Sequence, residues 1–220
     1  MKTRITIAVL AALLLNSCIV KSLYPFFTKD TVHFEQSLIG HWTDSDNSQW
    51  EIISLKEKIR TENKGNLDDF YRDLEILKDY AEGYYIKRHH KGNTSYYLAV
   101  PFVLNDQLFI DFSPLTLELD LENVPELVAY HFVTAHSLVK VDINKDNLSL
   151  KWLDSDKLEK LLEEKRIKIQ YTKTLDFPNY LLTATSEELQ KFIKKYMASN
   201  DNDKWSTDVK FNLQRADDEP

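Results

Sequence analysis

Gly40-His41-Trp42-Thr43-Asp44-Ser45-Asp46-Asn47-Ser48-Gln49-Trp50-Glu51-Ile52-Ile53-Ser54-Leu55 is the stretch from which the rest of the chain is read. Asp44 to Ser48 is a run of turn-forming residues, and tryptophan, threonine and isoleucine on either side favour a pleated backbone. Residues 40–43 and 49–55 are therefore expected to form the two strands of a hairpin.

The same pattern continues outward. Strands are expected at 83–89, 95–104, 108–112, 128–143 and 148–152, joined by Lys91-Gly92-Asn93, Asn105-Asp106 and Asn144-Lys145-Asp146-Asn147. Connections this short and polar require antiparallel neighbours. Helical periodicity enters late. Asp154 to Glu164 places Leu158, Leu161 and Leu162 on one face, and Thr185-Ser186-Glu187-Glu188 forms a capping box ahead of Leu189, Phe192, Ile193 and Tyr196. Asn66 caps a predicted helical insertion at 67–79. The expected class is α+β: a twisted antiparallel sheet or incomplete β-barrel of about seven or eight strands with two C-terminal helices beside it.

The N-terminus carries a different signal. Lys2 and Arg4 precede an apolar run of eleven residues, Ile5 to Leu15, which is the layout of a secretory signal peptide. A membrane-spanning helix needs about twenty. Leu15-Asn16-Ser17-Cys18 resembles the lipobox of bacterial lipoproteins, with Asn16 the departure from the usual small residue. The resemblance implies cleavage before Cys18, a diacylglycerol on its thiol and a palmitate-type chain on the new amino group. Diacylglycerol supplies the two acyl chains that stable anchoring needs. Cys18 is the only cysteine, so no internal disulfide forms. Ile19-Val20-Lys21-Ser22 lacks the Asp of inner-membrane retention and the acidic cluster of surface export, so the anchor is expected in the outer membrane, facing the periplasm.

The domain plan is then a signal peptide at 1–17, a lipidated tether with an aromatic segment at 18–38, one α+β domain at 39–198 and a loose tail at 199–220. Loss of Lys2 and Arg4 with the signal leaves 203 residues and takes the formal charge from −7 to −9, which argues against nucleic acid and against adhesion to anionic lipid by basic patches. Gly40-x-Trp42 resembles the Gly-x-Trp of lipocalin-like barrels, in which the Gly permits close packing and the Trp closes one barrel end. Leu23-Tyr24-Pro25-Phe26, Leu38 to Trp42, Asp106 to Asp111 and Leu182 to Phe192 together resemble a group of uncharacterised bacterial lipoproteins of about 200 residues. That resemblance implies localisation and architecture, and no activity.

Catalytic and metal signatures are missing. His89 and His90 point to opposite faces of a strand, as do His131 and His136 if their strand is unbroken, and His33 and His41 meet other ligands only through the fold. There is no Gly-x-Ser-x-Gly elbow and no phosphate-binding glycine loop. Asp68-Asp69, Glu163-Glu164 and Glu187-Glu188 have the character of solvated faces. No catalytic residue, metal site or cofactor is assigned, and Cys18 is the one functional residue named. Aromatic residues alternate on the strands, at Tyr84-Tyr85, Tyr96-Tyr97, Phe102, Phe109, Phe112, Tyr130 and Phe132. One face is core, and a second apolar face would line a ligand cavity or meet a partner. The expected role is a non-enzymatic binding or assembly lipoprotein of the envelope, with the membrane, an apolar ligand or an envelope protein as partner. The alternative is an envelope hydrolase, which requires a cleft holding a carboxylate beside His41, His131 or His136.

Overall fold

A computed structural model describes residues 19–63, 78–115, 133–174 and 180–216. The signal segment, Cys18, His131, nearly all of the helix expected at 67–79, the start of the strand expected from 128 and the acidic end at 217–219 lie outside the described residues.

The hairpin forms from β2 (Gly40–Asp44) and β3 (Gln49–Ser54), with Trp42 opposite Trp50. Its turn is built by Asp44, whose Oδ1 accepts the N–H groups of Asp46 at 3.0 Å and Ser48 at 2.9 Å. Asn47 takes a left-handed backbone there, which its short polar side chain tolerates. An antiparallel meander follows through β4 (Tyr84–His90), β5 (Asn93–Leu104), β6 (Gln107–Pro114), β7 (His136–Asn144) and β8 (Asn147–Trp152). The two-residue link Asn105-Asp106 has positive φ at both positions, the geometry that matches strand twist in tight hairpins.

Three pairings close the sheet. β6 bonds to β7, and β11 (Lys210–Arg215) inserts between β8 and β2, giving a closed ring of eight antiparallel strands. The barrel expectation holds, but the barrel is complete and the fold is predominantly β. The segment expected to be a loose tail from 199 supplies the closing strand. Its Phe211 and Leu213 alternate with polar residues and pair with Leu150 and Leu148. A short extension, β1 (Lys21–Ser22), β10 (Tyr180–Leu182) and β9 (Tyr171–Lys173), continues from the edge of β7 past the end of β8.

Helices α2 (Ser155–Glu163) and α3 (Ser186–Met197) form where the periodicity places them, and the capping box at Thr185 and Glu188 is present. A third helix, α1 (Leu55–Glu62), begins at the residue expected to end β3 and buries Leu55 and Ile59 against Tyr85 and Leu98.

Strand alternation gives the barrel two apolar faces, and both are covered. The inner face packs Trp42, Trp50, Ile52, Tyr84, Ile86, Ile110, Phe112, Val139, Val141 and Trp152 into the lumen. The outer face of β5, β6 and β7 carries Val100, Phe102, Leu104, Phe109 and Leu138, covered by Phe26 and Phe27 of the N-terminal segment and by Leu158, Leu189, Phe192 and Ile193 of α2 and α3. The second apolar face inferred from the alternating aromatics thus meets this chain's own segments.

At one end Trp42 is buried, its indole N–H donating to the Leu38 carbonyl at 3.0 Å. The Arg215 guanidinium lies 4.2 Å above its ring and donates to the carbonyls of Ile39 and Ser37 at 3.1 and 2.7 Å. Gly40 has φ +134, and a Cβ on it would stand 2.6 Å from Arg215 Nη1. The backbone angle requires glycine, and a Cβ there would also push the Arg215 guanidinium aside. The barrel with its buried Trp42 is compatible with the lipocalin-like arrangement that Gly40-x-Trp42 resembles.

Candidate functional site

The lumen is packed by side chains, and an open pocket of about 690 Å³ at one barrel end is lined by the turns at 44–47 and 144–147 and by β11. Two other places stand out: a buried carboxylate–imidazole contact and an open groove.

The contact joins strands whose register the sequence does not reveal. Asp111 on β6 sits opposite Leu138 on β7, which brings it diagonally to His136, and His136 Nδ1 meets Asp111 Oδ2 at 2.7 Å. Asp111 and His136 are buried, with side chains 1 and 8 % exposed. The other oxygen, Oδ1, accepts the Phe26 N–H at 2.9 Å, so one carboxylate ties the aromatic N-terminal segment to the barrel wall. Burial, and secondarily the nearby Asp111 charge, push the Tyr80 phenol above its usual range. Ser22 is the register partner of His136, but its hydroxyl serves the local backbone, donating to the Leu182 carbonyl at 3.5 Å and accepting the Tyr24 N–H at 3.2 Å.

The remaining described histidines are dispersed. His41 is exposed, His89 faces Thr94 at 3.1 Å and His90 faces Ser48 at 2.7 Å. Among the described residues no three His, Cys, Asp or Glu side chains converge as metal ligands, and no helix is long and apolar enough to cross a membrane.

The groove is built by α2, the strand-like segment after it and α3. Asp154 caps α2 by accepting the Lys157 N–H at 3.1 Å. The helix stops where Lys165 turns left-handed, its N–H donating to Leu162 O at 3.0 Å and the Arg166 N–H donating to Leu161 O at 2.9 Å. That stop reverses the chain. Ile167 and Ile169 then pack on the outer core, and the alternating Lys168 and Gln170 face solvent. On α3, Glu188, Lys191 and Lys195 lie at spacings of three and four, flanking Phe192 and Tyr196.

The result is a groove of about 1050 Å³ with a floor of Leu161, Leu162, Ile167, Ile169, Phe192 and Tyr196. Its rim holds five cations, Lys165, Arg166, Lys168, Lys191 and Lys195, against two acids, Glu188 and Asp201. Arg166 pairs with Glu164 at 3.3 Å, whereas the four lysines make no ion pair among the described residues. Glu188 already accepts the Thr185 N–H at 3.1 Å in the capping box. The face is therefore positive on a chain of formal charge −7. Burial pushes the Tyr196 phenol at the floor far above its ordinary value, so it stays neutral.

Sequence reasoning named both helices that frame this groove and missed the groove itself. The basic residues are scattered through 165–195 and converge only when α2 and α3 lie side by side. His136 was singled out from sequence, and Asp111, its partner, was not. Comparison with protein-family models, with curated proteins and with solved structures gave no match.

Proposed function

We propose that this chain is a lipid-anchored envelope protein, held by acyl chains on Cys18 and facing the periplasm from the outer membrane. In this reading it is a non-enzymatic binding or assembly module that works through its helical side. The groove between α2 and α3 carries the proposal, because it combines a partly exposed apolar floor with a cationic rim while the barrel lumen is occupied by its own side chains.

The Asp111–His136 contact favours a second reading, an envelope hydrolase, since a carboxylate orienting an imidazole is half of a nucleophile-activating relay. Against it, Asp111 spends its second oxygen on the Phe26 N–H, Ser22 is committed to the backbone and the pair is buried under the N-terminal segment. A structural role for the pair accounts for all three contacts.

The test uses the full-length chain in a bacterial host, with a photo-crosslinking residue placed at Lys195 in the groove or at exposed Lys87 on the outer barrel wall. The binding reading expects a discrete adduct from position 195 and none from 87, and a diacylated N-terminal peptide beginning at Cys18 that is lost in Cys18→Ala. Equal adducts from both positions, or none from either, would remove the groove as the working site. An unmodified N-terminus would remove the anchor.

A further inference from the structure

We infer that the α2–α3 groove takes an amphiphile with one acyl chain and an anionic head, the carboxylate or phosphate of a fatty acid or lysophospholipid. The inference rests on the binding-module reading above and names its ligand class.

Three observations converge on that chemistry. The groove's volume, about 1050 Å³, is at the upper end of small-molecule sites, enough for a chain of many methylenes, and its floor has aliphatic and aromatic side chains throughout. Burying such a chain against Leu162, Ile167 and Phe192 supplies apolar contact without needing a polar partner along its length. The rim supplies the complement for the head. Lys165, Lys168, Lys191 and Lys195 are exposed and make no ion pair within 4 Å among the described residues, with Lys191 acting only at longer range on the Glu187 carboxylate, so an incoming anion displaces no direct ion pair.

The chain start places this site near lipid. Ile19, the residue after Cys18, forms an isolated antiparallel bridge with Asp154, the N-cap of α2. A lipid on Cys18 would thus hold the α2 side of the domain to the bilayer, and α2 spans only about 13 Å from its cap to the groove. An acidic peptide would satisfy the same cations, but neither this proximity nor the apolar floor favours it.

The experiment uses the full chain in phosphatidylcholine nanodiscs with three photoreactive single-chain probes: palmitate, lysophosphatidate and lysophosphatidylcholine. The first two are expected to label residues 161–171 and 188–199 saturably, with excess palmitate competing. Labelling by palmitate alone would assign a free fatty acid, by lysophosphatidate alone a phosphate head, and by both the shared anionic head. Lys168→Glu with Lys195→Glu, both at exposed positions, is expected to weaken labelling about tenfold with an unchanged thermal midpoint. Raising salt from about 0.1 to 1 M should weaken the wild-type protein in the same direction, giving a reading that needs no variant. Unsaturable labelling, equal labelling by lysophosphatidylcholine, or indifference to both charge reversal and salt would overturn the inference. A protein-sized adduct at position 195 without probe labelling would overturn the ligand class and leave the binding module standing.

Discussion

Replacing Gly40 by Ala tests how the barrel end is held. The new methyl group acts twice. It forces an L-residue to φ +134, which costs about 1–2 kcal/mol, and it lands 2.6 Å from Arg215 Nη1, which must move. Moving Arg215 forfeits its position over Trp42, about 0.5–1 kcal/mol at a half-buried site, and weakens two hydrogen bonds to Ile39 and Ser37 at about 0.5–1 kcal/mol each. The sum is roughly 2.5–5 kcal/mol, a large share of a small domain's stability. Among the described residues beyond its chain neighbours, the only atoms within 4 Å of the new Cβ belong to Arg215, so in an Arg215→Ala background the same change should cost only the backbone share, about 1–2 kcal/mol. Urea unfolding of the two single variants and the double variant gives the coupling directly, expected near 2 kcal/mol. If Gly40→Ala costs the same in both backgrounds to within about 0.5 kcal/mol, the close approach of Arg215 is not what the glycine serves.

Two further outcomes follow from the buried carboxylates. Burial opposes charge on Asp44, but hydrogen bonds from the Trp50 indole, Ser48 and Asp46 outweigh it and hold the carboxyl below the usual range. A depressed folded-state value means this stability is complete above about pH 4 and is lost as pH falls through the folded value. Urea midpoints measured down to about pH 2.5 should therefore fall less steeply in Asp44→Asn than in wild type, and parallel curves would contradict the assignment. Asp111→Ala should cost about 3 kcal/mol by stranding the Phe26 N–H and His136 in the core, and should speed tryptic cleavage after exposed Lys29. Cleavage at the wild-type rate would mean that Asp111 does not pin the segment.

The residues whose burial follows a local period were legible in the sequence. Strands β2 to β6 and β8 and helices α2 and α3 sit where alternation, turn residues and the Thr185–Glu188 box place them, whereas the strand expected at 128–143 begins only at His136, with residues 133–135 irregular. Closure was not legible, because β11 is a six-residue alternation beside an acidic terminus, and its partners Asp44 and Leu148 lie far away in sequence. Helix α1 was hidden by Leu55, which completes an apolar run with Ile52 and Ile53; the signal was Ile59 four residues later, with Lys58 and Glu62 forming an ion pair at 2.8 Å. The Asp111–His136 contact depends on cross-strand register, and the groove on the packing of two helices, neither of which is a property of any one segment. Aromatic alternation signalled a second apolar face but pointed to a ligand cavity or a partner, whereas this chain's own N-terminal segment and helices cover it.

The ring of strands is joined head to tail by its most distant members: Arg215 bonds to Ile39 across 176 positions of sequence. Until residues 210–215 are available, β2 and β8 each present a row of unsatisfied backbone groups, the template on which extended chains stack into aggregates. Non-local closure of this kind makes folding slow, and the order of synthesis puts it last. A protease cut between Trp152 and Lys210 that frees the closing strand would leave a species with two open edges, at β2 and β8.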